Sequence, residues 1–117
     1  MTRLFVMVAV AFLALTFSAH AADYVPLECA KAKSETEKTI CSDYSLGQSE
    51  ARMATLYGLT TSLVAMGQRG DIQDAQRDFI KKREACGANA ACIRGAYGER
   101  IKQLEAVMSG IASHGPF

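Results

Sequence analysis

Histidine is nearly missing from this chain of 117 residues, with only His20 and His114 present. General acid–base and nucleophilic centres most often rest on an imidazole beside a serine or cysteine. His114 lies in a Gly- and Pro-bearing tail where no Ser-His or Cys-His pair is expected. Carboxylates alone can run acid/base chemistry, but no spacing here places two of them across a cleft. The C-x-x-C pattern of thiol oxidoreductases is absent. So are the close cysteine pairs of structural zinc sites, since the spacings are C-x11-C and C-x5-C. These gaps argue against an enzyme and predict no catalytic residue, no metal and no cofactor. Strand-like alternation, low-complexity stretches and internal repeats are also lacking, which leaves an all-α reading.

Long apolar runs are lacking too, apart from Leu4 to Phe17. That run is shorter than the roughly 20 residues a helix needs to cross a bilayer. It follows Met1-Thr2-Arg3 and leads into Ser18-Ala19-His20-Ala21, the order of charge, apolar core and small residues that marks a secretory signal. Cleavage is expected after Ala21. The first cysteine is Cys29, so no cysteine stands at the cleavage point to take a lipid. The expected product is periplasmic or secreted, soluble, and without stable membrane insertion. Residues 22–111 are expected to form one domain and residues 112–117 a flexible tail. Loss of Arg3 lowers the 13 basic side chains to 12 against 12 acidic ones, and the formal charge from +1 to zero. That balance favours neither nucleic acid nor an anionic membrane as a partner.

What the chain does contain is an even set of cysteines, Cys29, Cys41, Cys86 and Cys92. In a small exported chain this reads as two disulfides. Ser34 and Glu37 match a capping box, starting a short helix over about 35–42. Leu46, Met53, Leu56, Tyr57, Leu63 and Val64 recur at helical spacing, with a turn expected at Gly67–Gly70. Asp71 is the expected cap of the next helix, which buries Ile72, Ala75, Phe79 and Ile80 and runs to Cys86. Gly87 suits a left-handed stop and Asn89 a new cap. The last helix carries Ile93, Tyr97, Ile101, Leu104, Val107, Met108 and Ile111, and fades near Gly110. The prediction is a small antiparallel helical bundle or hairpin of three longer helices plus one short N-terminal helix. The break at Gly87–Asn89 folds Cys86 back onto Cys92. The late helix start at Ser34 lets Cys29 return to Cys41.

Cys29-Ala30-Lys31-Ala32, Glu37, Ile40-Cys41, Leu46, Glu50, Tyr57, Gln76-Arg77-x-Phe79, Arg83, Cys86, Cys92-Ile93, Tyr97 and Arg100-Ile101 form an ordered set. Over about residues 28–104 it resembles the lysozyme inhibitor LprI-like family of small exported proteins. Phe79 stands where that family usually has tryptophan, and Ser49-Glu50 where it has leucine and aspartate. The cysteine that anchors its lipoprotein members is missing. The resemblance implies a binding protein that blocks or sequesters a lysozyme by surface contact. The alternative is a non-enzymatic structural or adaptor protein of the cell envelope, bound to another envelope protein or to peptidoglycan. Oligomeric state stays open. The matched polar residues have a structural explanation, with Glu50 bonded to Arg83 or Arg100 and the rings of Tyr57 and Tyr97 in the core. Asp71, Asp74 and Asp78 share one side of a helix. They read either as ordinary solvation, with Asp78 paired to Lys82, or as a docking face for a cationic partner.

Overall fold

The computed structural model describes residues 24–114. The expected signal segment, the expected cleavage point after Ala21 and the last three residues of the expected tail lie outside the described residues. A 3-10 turn over Cys29–Lys31 precedes four α-helices: α1 Glu35–Ser42, α2 Tyr44–Leu63, α3 Met66–Ala85 and α4 Ala90–Ala112. Helix α1 starts as its capping box dictates. Ser34 Oγ accepts from the Glu37 N–H, and the Glu37 carboxylate accepts from the Lys33 and Ser34 N–H groups. Those two backbone donors, Lys33 first, hold the Glu37 carboxyl below the usual range. Asp43 ends α1 and caps α2, its carboxylate accepting from the Leu46 N–H at 3.1 Å.

The α2–α3 corner departs from expectation. The turn is Val64-Ala65, and Gly67 to Gly70 form the first turns of α3. Ala65 is the N-cap and supplies no side-chain bond, so Asp71 caps nothing and sits inside the helix. Arg69 does part of a cap's work instead, its Nε donating to the Thr61 carbonyl at the end of α2 at 2.7 Å. The α3–α4 corner agrees with expectation: Gly87 has a φ of 56°, and the Asn89 side chain accepts from the Cys92 N–H. Helix α4 runs two residues beyond Gly110, one residue into the expected tail.

Links between α2 and α3 rise along one helix and fall along the other, as Glu50–Arg83 and Met53–Gln76 show. Lys82–Glu99 and Gln76–Arg100 do the same between α3 and α4. Asp43–Arg94 and Arg52–Glu105 advance together, so α2 and α4 lie side by side in the same sense. Their apolar stripes meet in a core of Ile40, Leu46, Met53, Tyr57, Val64, Ile72, Phe79, Ile93, Tyr97 and Leu104. Helix α1 closes one end. Buried Thr36 donates to the Gly87 carbonyl at 2.8 Å and ties α1 to the α3–α4 turn. Cys29 is bonded to Cys41 and Cys86 to Cys92, and no described cysteine is free.

Candidate functional site

The residues that the ordered motif brings together meet inside the bundle. Glu50, one face of α2 inward from its start, is 6 % exposed. An ionised carboxylate at that depth requires partners, and it has four. Tyr24 and Tyr97 donate their hydroxyls to its two oxygens, the Leu27 N–H reaches Oε1 at 3.1 Å, and Arg83 Nη1 lies 3.4 Å from Oε2. Arg83 is therefore the ion-pair partner, and Arg100 is not.

Arg83, itself 4 % exposed, binds the whole cluster. Its Nη1 lies 3.3 Å from both tyrosine hydroxyls and its Nη2 donates to Glu84 at 3.0 Å. The guanidinium carbon stands 5.8 Å from the Phe79 ring centroid, a cation–π distance. The Phe79 ring packs at 5.2 Å on Tyr97, and Tyr24 meets Tyr57 edge-on at 5.9 Å. Burial, reinforced by the adjacent Glu50 charge, pushes both tyrosine hydroxyls well above their ordinary value of about 10. They stay neutral donors at any physiological pH.

A second set lies further along α3 and α4. Arg100 donates through Nε to Gln76 at 2.8 Å and through Nη2 to the Ile72 carbonyl at 3.0 Å, and Gln76 Nε2 approaches Met53 Sδ at 3.2 Å. Burial lowers the Arg100 value, and these acceptors offset the cost of its charge.

Both sets are bonded within the fold. Both oxygens of Glu50 are engaged within the fold, Arg83 and Tyr97 beside it are buried, and Tyr24 and Leu27 are half-buried. His114 is exposed at the end of α4, against the Gly110 carbonyl. Among the described residues no group of three or more His, Cys, Asp or Glu is placed to hold a metal ion. What this arrangement does is position: it fixes residues 24–27 against α2, α3 and α4 and joins Glu50, Arg83 and Tyr97 across three helices.

Tyr24 and Leu27 are the members that sequence reasoning passed over. They fall outside the helical stripes, and the only signal is that two apolar side chains precede Cys29. Asp71, Asp74 and Asp78 lie at the surface of α3, all exposed. Asp74 pairs with Arg77, and Lys82 reaches across to Glu99 at 3.0 Å on α4, so the expected Asp78–Lys82 pair gives way to an interhelical one.

A buried polar hub in which, among the described residues, only the Arg83 Nε lacks a hydrogen-bond partner, under a surface of exposed charge, defines a disulfide-stapled helical domain. The family model of lysozyme inhibitor LprI matches residues 29–109, and the chain belongs to that family. No curated protein and no solved structure matches the chain. No helix among the described residues is long and apolar enough to cross a membrane.

Proposed function

We propose that the chain is exported, is cleaved after Ala21, and acts outside the cytoplasm as a soluble lysozyme inhibitor that blocks or sequesters the enzyme by surface contact. The observation that carries this reading is the family match over residues 29–109, which takes in all four cysteines and every motif residue of the hub. Physical argument limits where contact occurs. Glu50, Gln76, Arg83 and Arg100 are committed inside the fold, so recognition falls to exposed side chains. Asp71, Asp74 and Asp78 form the proposed docking face, because lysozyme is a cationic partner and these carboxylates are exposed on one helix. The near-zero net charge means that the fit is local and not a product of long-range steering.

Clearing of a bacterial cell-wall suspension by lysozyme, followed by turbidity with and without purified protein spanning residues 22–117, tests the reading. Slower clearing in proportion to added protein is expected. Unchanged clearing at large molar excess, together with retention of the protein on insoluble peptidoglycan, would favour the envelope adaptor instead.

A further inference from the structure

One cavity lies where the N-terminal segment and α1 meet the start of α2. It holds about 390 Å³, a size within the range of about 300–1,000 Å³ that small-molecule sites occupy. Leu27, Ile40 and the Cys29–Cys41 bond give it apolar walls, and the Leu27 N–H bond to Glu50 holds one of those walls in place. Gly47, inside α2, also lines it and leaves it open, since a Cβ there would meet the Ile40 carbonyl oxygen at 3.9 Å, an ordinary contact. Tyr44 lines it too, yet is 82 % exposed. Its hydroxyl accepts from Gln48 Nε2 at 2.9 Å, one turn along the helix, which steadies the ring.

We propose that this cavity binds a pyranose ring of a neutral saccharide, with Tyr44 as the stacking face. Charge argues against an ion. The two carboxylates that line the cavity each have an arginine already: Glu50 pairs with Arg83, and Asp43 lies 3.5 Å from Arg94. A cationic ligand would compete with those arginines, and an anionic one would be repelled by the carboxylates. The polar functions left over are neutral and come as one donor and one acceptor. Among the described residues nothing accepts the Tyr44 hydroxyl proton or donates to Gln48 Oε1. A pyranose meets both conditions, because its hydroxyls donate and accept around the ring edge while its C–H face packs on an aromatic ring. A peptide backbone lacks the strand edge it would add to, since no strand is present among the described residues. The cavity belongs to α1 and α2 and the proposed lysozyme face to α3, so glycan and lysozyme do not contend for the same residues.

Titration of the mature protein with chitotriose, a neutral trimer of N-acetylglucosamine, followed by amide shifts in NMR, tests the proposal. No lysozyme is involved, so failure here leaves the inhibitor reading standing. Saturable shifts are expected at Tyr44, Gly47 and Gln48. Tyr44→Ala, at an exposed side chain, should weaken binding by more than about tenfold with an unchanged melting curve. Gly47→Leu should fill the cavity and abolish binding, while removal of a helical glycine keeps or raises the melting temperature. No saturable shift at millimolar chitotriose overturns the proposal, as does binding that survives both variants. Shifts at the cavity with trialanine and none with chitotriose would assign it to a peptide and equally overturn it.

Discussion

The two ends of the bundle are held by different physics. At one, two disulfides, a capping box, the Asp43–Arg94 pair and the Glu50 hub fix a short helix and an irregular N-terminal segment in place. At the other, aliphatic contacts and a single Arg69–Thr61 bond turn the corner, with no Asp, Glu, Lys or Arg in residues 53–68 or 106–114, which meet there. The first end places short pieces, one of 3 residues and one of 8, that hydrophobic burial alone would leave loose. The second needs no such devices, because two helices of 20 residues and one of 23 already bury their stripes. Directional bonds appear where the chain is irregular, and non-directional burial suffices where it is periodic.

The sharpest break in this contrast is Glu50→Ala. It leaves the buried Arg83 guanidinium with Glu84 as its remaining ion-pair partner and two tyrosine hydroxyls and the Leu27 N–H without their acceptor, so a loss of about 3–5 kcal/mol is expected in urea unfolding. A loss under 1 kcal/mol would mean the hub is ornamental. Next in size is removal of the Cys29–Cys41 bond by a double alanine substitution, which should cost about 3 kcal/mol. The same change at Cys86 and Cys92 opens a smaller loop and should cost about 2 kcal/mol. A reversed order would show that loop closure does not set these values.

Alkali offers a third probe. Both hub tyrosines have folded values raised above the ordinary tyrosine value, so their contribution is fully present below about pH 10 and is lost as pH rises beyond it. Unfolding monitored between pH 9 and 12, on the order of the range where free tyrosine ionises, should show stability falling, with Tyr97→Phe flattening the fall. The smallest stability effect belongs to Asp71, Asp74 and Asp78 replaced together by asparagine. Exposed pairs contribute about 0–1 kcal/mol each, so the melting temperature should hold while lysozyme affinity drops, and the drop should shrink in high salt. Unchanged affinity in low salt removes this face from the proposed function.

The sequence was legible at most of the places where a side chain writes a polar signal, Asp71 being the exception. Ser34 with Glu37, Gly87 with Asn89, and the cysteine spacings each announce one local geometry, and each appears in the fold. At the α2–α3 corner the signal misleads, since Asp71 sits inside α3, Ala65 caps without a side chain, and Leu63 and Val64 prolong the apolar stripe that precedes them. Gly67 and Gly70 suggested a turn there, yet glycine in the exposed first turns of a helix costs only about 1 kcal/mol, which packing overrides. Of the hub, Glu50, Arg83 and Tyr97 were visible as polar or amphipathic residues on buried faces. Tyr24 was not, because a docked segment without periodicity has no pattern to find. Choosing Arg83 over Arg100 as the partner of Glu50 required the relative height of α2, α3 and α4, which spacing along one chain does not encode.

Each disulfide joins a cysteine to the next one in the chain, across separations of 12 and 6 residues, and no bond spans the middle of the sequence. For a chain that crosses a membrane N-terminus first, this makes order of arrival a sufficient instruction. Cys41 follows Cys29 and Cys92 follows Cys86, so an oxidase that joins cysteines as they emerge builds the native set directly. On the proposed export, refolding of the reduced protein with an oxidant alone should restore both bonds without an isomerase.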